Sequence, residues 1–529
     1  MPVTTIPLVG NMTARGFAKA IGTSQKDQQY INCLFEVGVN PALGKKAVYV
    51  VKRPGSTTGS TIASGVQAVA SYSAYFTSMY TTATAIYRGT TSLGAISGAV
   101  VGLSVADTVM SAQDVICFCD TTGKSGWYCF KDAVTTNFPT FSGDTHTNTT
   151  IDGIASTTGL YPGQLITGTG IQAGTRIATI TSATAITVTI ATTGTATVTI
   201  TKEAIAKVID SDYPNGSVVS VAANNGYMFS ATADGRIFNC TINAPNTVAS
   251  SDYITADYSS DELFAMMKFG DYIIAFGASS RQYFQITGNS SGSVLSAVRA
   301  MNAYDDVGYY GPVYRGGAAY LIGKKANTGY GLYRAPSPSE FTNLADAVVG
   351  AVMNQNGTTT IGTIWFATTK ELVAAFGSGT TCIVYDPVSG MFSELLMATA
   401  INSSNGTSFT KSGETTAFTW ATGNTWTDST VAYTMTIQTE PFVLNDGRPF
   451  TISMVELVAD TQASGTTSFT TYNDDYATAL SLTAFDMTAQ NKVSRPCGYY
   501  PNHVIFKLEH AANTGFRAQA LKVHWEPAG

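Results

Sequence analysis

Few residue sets in this chain have the types and spacing that chemistry requires. Gly288-Asn289-Ser290-Ser291-Gly292 matches G-x-S-x-G, the nucleophile elbow of hydrolases, which needs a strand before the serine and a helix after it. Tyr283 to Thr287 supplies the strand, but SVLSAVRAMNAYDDVG follows in a chain with no βαβ rhythm, so a polar hairpin loop is expected. The pairs Asp305-Asp306 and Asp474-Asp475 suggest glycoside hydrolysis or calcium. Neighbours on a strand point to opposite faces, however, and cannot by themselves flank one bond. Asn473-Asp474-Asp475 reads more simply as a turn. The histidines His146, His503, His510 and His524 form no H-E-x-x-H or other metal-spaced set, and surface or barrel-end positions are expected for them. Gly168-x-Gly170 followed by Gly174 resembles a phosphate-binding glycine loop, but its spacing is GxGxxxG and an Ile/Thr strand follows where the fingerprint requires a helix.

The seven cysteines, Cys33, Cys117, Cys119, Cys129, Cys240, Cys382 and Cys497, are an odd set scattered over the chain, unlike a disulfide framework. Cys117, Cys119 and Cys129 are the tightest group. No fourth soft or imidazole ligand stands near them in sequence, so they read as small buried hydrophobes with reduced thiols. The residues alone therefore assign no catalytic, cofactor-binding or metal site, and no cofactor is expected.

The elements around these residues are strands. Charged residues are 12% of the 529, against about 25% in ordinary soluble proteins. Hydrophobic residues at 44% and aromatics at 11% give ample core material, which excludes a disordered chain. Lys+Arg 29 against Asp+Glu 35 leaves a net charge of −6, the wrong balance for a protein that neutralises phosphates. Any DNA contact would be steric or channel-like. Ser, Thr, Asn and Gly supply the polarity, a mix that favours strands and turns. The N-terminal MPVTTIPLVGNMTARGFAKA has no apolar stretch behind a basic start, so no secretory signal is expected and synthesis in a cytosol is.

From about Val66 to Tyr433 short apolar strands alternate with Gly, Asn, Asp or Ser turns. In NNGYMFSATADGRIFNC, Tyr227 and Phe229 precede, and Ile237 and Phe238 follow, the turn Ala233-Asp234-Gly235, a hairpin signal. GDYIIAFGASSRQYFQITGN, GAAYLIGKKANTGYGLYRA and TCIVYDPVSGMFSEL repeat the scheme. Such hairpins suggest a sandwich array or an irregular propeller. Phe341, Leu344, Val348 and Val352 follow helical spacing and predict a helix over Phe341 to Met353. A Thr/Gly/Ala/Ile-rich island reads as a small β domain inserted in a loop. From about Thr436 longer alternating strands suggest a C-terminal β-sandwich. The expected fold is thus all-β: an N-terminal arm and first strands (1–60), a first stretch of propeller (61–142), the inserted Gly/Thr-rich β domain (143–203), a second stretch of propeller (204–435) and the sandwich (436–529).

Several segments, taken together and in order, resemble one family: the tail hub or nozzle proteins of short-tailed phages, also called packaged-DNA stabilisation proteins. Phe276-Gly277-Ala278-Ser279-Ser280, Tyr283-Phe284 and Thr287-Gly288 are similar to the family's "Phe-Gly-Ser-Ser, x-x-Tyr-Phe, x-x-Thr-Gly" signature. Cys382 to Leu395 is similar to its Val-Tyr-Asp strand and aromatic return, with Phe392 where tryptophan is commoner. Tyr30 to Gly55 resembles the opening that ends in Arg-Pro-Gly, and the stretch from TEPFVLNDGRPF to ALKVHWE follows the final β domain. The island departs from the family core. The resemblance implies an irregular β-propeller plus a β-sandwich, assembled as a homo-hexamer below the portal-adaptor (head-to-tail connector). It implies a structural, non-enzymatic virion protein that continues the DNA exit channel, retains packaged DNA without sequence-specific binding, and anchors a needle or plug and tail fibres or spikes. The location implied is the virion tail, assembled in the host bacterial cytoplasm without membrane insertion. The alternative is a receptor-binding or polysaccharide-cleaving tail protein, with carboxylates such as Asp305 or Asp386 in a pocket.

Overall fold

The computed structural model describes residues 1–528 except 10–28, 40–45, 62–67, 71–78, 97–102, 136–138, 304–307, 326–328, 345–361, 368–370, 377–380, 412–415, 422–424, 474–478, 496–497 and the positions 83, 90, 121, 290, 291, 316, 398, 400, 406 and 407. Among them, the helical pieces are one turn at Lys131–Thr135 and a 3₁₀ turn at Arg299–Met301, and every other regular element is a strand.

Among the described residues, seven groups of four antiparallel strands follow one another as the blades of a propeller, four of them separate sheets and three of them parts of larger sheets. Blade 1 spans 68–95, blade 2 spans 103–130 plus Thr195–Lys207, blade 3 spans 218–255, blade 4 spans 263–297, blade 5 spans 308–343, blade 6 spans 362–396 and blade 7 spans 401–420. Blade 7 takes its fourth strand from the N-terminal arm: Ser56–Thr61 pairs with Thr416–Trp420, setting Trp420 opposite Ser56 and Phe418 opposite Thr58. The first strands of blades 7 and 1, Ile401–Asn405 and Ala68–Ala70, lie side by side and complete the ring.

Blade 4 is covered on both faces, so its strand Tyr272–Gly277 reads as a continuous apolar run with no polar face. In blade 4, Ile273, Ala275 and Phe284 pack on blade 3, while Ile274, Phe276 and Tyr283 pack on blade 5. The turns carry the residues that positive φ demands. Asn225 and Gly226, at φ 49° and 80°, join the first two strands of blade 3 in the manner of a type I′ turn.

The island is a roll of strands that grows out of the outer edge of blade 2. Thr195–Lys207 is shared: Thr195 to Thr201 pair with Thr140–His146 in the roll, and Ala206 and Lys207 pair with Tyr128 and Trp127 in the blade. The sheet continues through Thr150–Asp152, Ala185–Val188 and Ile177–Ser182 and curls until Arg176 bridges Leu165. Ile151, Ile166, Ile177, Ile186 and Ile200 fill its interior. Tyr161 locks it to the blade, its ring 4.4 Å from that of Phe130 and its hydroxyl donating to Asp132 at 2.6 Å.

The strands after residue 436 build their sandwich jointly with the N-terminal arm. Val3–Pro7 and Lys46–Lys52 pair with Arg517–Pro527 in one sheet, and Gln29–Ile31 pairs with Met435–Gln438 in the other. Phe35, Val50, Phe450, Phe469, Phe506 and Val523 share the core between them. Ile31 also pairs in parallel with Glu394, so one nine-stranded sheet runs from blade 6 out to Ala479–Asp486.

The helix expected over Phe341 to Met353 is not what its first residues form. Glu340–Asn343 is the outer strand of blade 5, with Asn343 opposite Tyr333, and residues 345–361 lie outside those described. Pairing with a preformed blade edge outweighs a helical spacing that local sequence alone supports weakly.

Candidate functional site

The residues singled out for chemistry are dispersed. Gly288 and Gly292 sit at φ 71° in a loop between two blade 4 strands, and Asn289 donates to the Ser293 carbonyl at 3.1 Å, while Ser290 and Ser291 lie outside the described residues. The strand Leu295–Ala297 follows where the elbow requires a helix. Asp305, Asp306, Asp474 and Asp475 also lie outside the described residues. Asp386 is 2% exposed and its oxygens are engaged: Oδ1 accepts from the Val388 amide at 2.9 Å and Oδ2 from the Ser389 hydroxyl at 2.7 Å. It closes the turn of the Val-Tyr-Asp motif.

The histidines stand apart. His146 meets Asp152 at 2.7 Å in the roll, and His524 meets Glu456 at 3.2 Å in the sandwich. His510 is a correction to the surface expectation, since it is fully buried, with Thr467 at 3.0 Å and Thr514 at 3.1 Å on its two ring nitrogens. Burial, with the nearby Lys52 ammonium adding to it, pushes its pKa down to about 4 and keeps the ring neutral. The described cysteines are buried, and burial lifts the thiols of Cys119, Cys129, Cys240 and Cys382 to about 12, far from thiolate chemistry. Among the described residues no three His, Cys, Asp or Glu gather as a metal site would require.

The residues that organise the molecule are others. Asp261 caps the turn from Phe276 to Ser280, accepting from the Ser279 amide at 2.7 Å and the Ser280 hydroxyl at 2.9 Å. Its carboxylate fills the notch over Gly277, where a Cβ would stand 2.3 Å from Oδ2. Burial works against its charge, but the hydrogen bonds from the surrounding serines and amides outweigh it and hold the pKa below the usual carboxylate value. From the same hairpin Tyr283 donates to the Pro338 carbonyl of blade 5 at 2.6 Å. The signature thus shapes a hairpin and fastens it to the next blade.

Near the propeller axis, serines join successive first strands. The Val221 amide of blade 3 donates to Ser104 Oγ of blade 2 at 3.0 Å, and the Met266 amide of blade 4 donates to Ser220 Oγ of blade 3 at 2.9 Å. Each hydroxyl satisfies an N–H that a first strand leaves unpaired on its open side.

The densest polar construction is the Arg-Pro-Gly segment where arm, blades 6 and 7 and sandwich converge. Arg53 is 1% exposed and forks onto Asp428 at 2.9 and 2.5 Å, while its Nε donates to Asn32 at 2.9 Å. Its guanidinium lies 3.7 Å from the Tyr433 ring centroid, and the Tyr433 hydroxyl donates to the Arg53 carbonyl. Asn32 also accepts from the Leu396 amide of blade 6 at 3.1 Å, and Asp428 from Ser56 of the closing strand at 3.1 Å. Gly55 is required because a Cβ there would meet the Thr427 carbonyl oxygen at 2.2 Å. Arg53, Asp428 and Asp261 belong to none of the residue sets whose types and spacing suggest chemistry. The Arg-Pro-Gly triplet was the visible signal for the first, whereas Asp428 and Asp261 carry no local mark.

The fold defines a β-propeller scaffold whose motif residues shape turns and joints. A family model described as "Bacteriophage P22 Gp10, beta-propeller" matches residues 142–373, less than half of the chain, and supports the resemblance to the phage DNA-stabilisation and tail family. The matched span takes in the roll, which the motif resemblance set apart from the family core. No curated protein matches the chain. Among solved structures it is similar to the computationally designed Ika8 protein (9% identity, TM-score 0.34, covering 70% of this chain and 100% of that one). It is also similar to the WD40 beta propeller domain of Doa1 (10% identity, TM-score 0.32, covering 70% and 98%). The matched family is a phage structural one, which supports a phage structural role for the chain.

Proposed function

We propose that the chain forms the hub or nozzle of a short phage tail: a homo-hexameric ring below the portal-adaptor that continues the DNA exit channel, retains packaged DNA, and anchors needle or plug and fibres. It works as a scaffold without catalysis. The observation that carries this reading is the family match over residues 142–373, which takes in most of the roll, blades 3 to 5, the last strand of blade 2 and the start of blade 6. The charge-poor composition supports it, since subunit interfaces are depleted in charge and a ring needs a heterologous contact on each side. A net charge of −6 suits a channel wall past which DNA slides. Assembly takes place in the host cytoplasm, and the roll, borne on an outer blade edge, decorates the outside.

The test is the native mass of the purified chain, alone and mixed with its adaptor ring. A six-fold ring, or one that forms only on the adaptor, is the expected result. A monomer or trimer indifferent to the adaptor would overturn it and favour the receptor-binding or polysaccharide-cleaving alternative.

A further inference from the structure

Open sheet edges offer unpaired N–H and C=O groups to any passing strand, and proteins guard them with prolines, charges or brevity. This chain guards most of its edges in these ways. On the N-terminal strand Val3–Pro7, Trp525 donates to the Pro2 carbonyl and Leu8 to the Gln519 carbonyl, so Pro7 falls on the outward side, where it offers no N–H. The outer strand of blade 1, Thr91–Ala95, is blocked by Glu203, which accepts from the Ala95 amide at 3.0 Å. The outer strands of blades 3 and 4, Tyr253–Thr255 and Leu295–Ala297, have three residues each, and Cys33–Val39 carries Glu36 at its centre. In the roll, Thr157 covers the end of Ile177–Ser182 by donating to the carbonyls of Ser182 and Ala183.

Ala479–Asp486 is built differently. It is the last strand of the nine-stranded sheet, eight residues long, paired on one side with Thr466–Tyr472 and on the other with nothing among the described residues. Its sequence ALSLTAFD has no proline and no charge before Asp486. Leu482 packs against the sandwich core, and Leu480, two residues back on the same strand face, is left 43% exposed.

We infer that Ala479–Asp486 is a subunit seam covered by a second copy of this chain. Position argues for a lateral neighbour: the sheet begins at Gly362–Ala367 of blade 6 and ends at this strand, the fifth beyond the last strand of that blade. Chemistry argues for an identical copy. An uncharged strand gives a foreign partner no electrostatic selection, whereas ring symmetry presents the same surface in the same register at every joint. The inference deepens the ring reading and rests on it.

The experiment compares full-length wild type with Leu480→Lys and, separately, Ser481→Lys, both at exposed positions, and with Thr181→Lys on the roll as control. Native mass is measured against concentration, and thermal unfolding checks that the fold is kept. The expected result is that either seam variant raises the concentration needed for assembly at least tenfold, while the control assembles as wild type does. In wild-type rings the amides of 479–486 should also exchange at least tenfold more slowly than in dissociated chains. If wild type forms rings and both variants assemble equally well, the seam is refuted and the hub reading stands. Variants that keep the ring but lose adaptor or fibre binding would assign the strand to another partner, which also refutes the seam. A wild type that never assembles, with or without the adaptor, overturns both.

Discussion

Replacing Asp428 by alanine removes the counter-charge from an arginine that has no route to water. Arg53 is 1% exposed, and its two bonds to Asp428, at 2.9 and 2.5 Å, are lost together with the Ser56 bond at 3.1 Å. Deleting one partner of a buried pair costs about 3–5 kcal/mol, because the remaining ion is buried uncompensated. An exposed pair would cost about 0–1 kcal/mol. The loss falls on the joint that holds Ser56–Thr61 in blade 7, so its local signature is faster amide exchange in Ser56–Thr61 and Thr416–Trp420. A cycle with Arg53→Met, Asp428→Leu and the double variant isolates the pair: two apolar side chains leave no stranded charge, so the double variant should be far closer to wild type than the sum of the singles. Chemical denaturation of the four proteins supplies the numbers. A cost below about 1 kcal/mol for Asp428→Ala, or a double variant equal to the sum of the singles, would refute the view that this clasp closes the propeller.

Two further outcomes follow from the geometry. In Gly277→Ala the new Cβ would lie 2.3 Å from Asp261 Oδ2, so the carboxylate must withdraw from Ser279 and Ser280. The expected cost is about 2–4 kcal/mol for the two charge-assisted bonds, and Gly277→Ala added to Asp261→Ala should cost much less than on wild type, as read by denaturation. His510 has a folded pKa of about 4 against an ordinary 6.5, so the unfolded chain binds the extra proton and stability falls as pH drops from 6.5 to 4. His510→Gln should lose that part of the decline, and identical pH profiles between pH 4 and 7 would refute it.

The sequence by itself determined the local grammar of this protein. Asp234-Gly235 and Asn225-Gly226 specify hairpins because their φ values, positive at Asn225, Gly226 and Gly235, are tolerated by few residues, a property of adjacent positions that needs no distant partner. The apolar runs of GDYIIAFG and CIVYD likewise announced strands, and their order along the chain carried the family resemblance that the match over 142–373 supports. The same local reading placed a helix at Phe341, where Glu340–Asn343 is a strand, because the blade edge that recruits it is built by residues the spacing cannot see. Only the tertiary structure decided that Ser56–Thr61 closes blade 7, that both chain ends share one sandwich, and that Arg53 finds Asp428 across 375 residues. Backbone edges look alike in sequence, so the choice among them falls to the packing and buried charge that one closed ring can satisfy together.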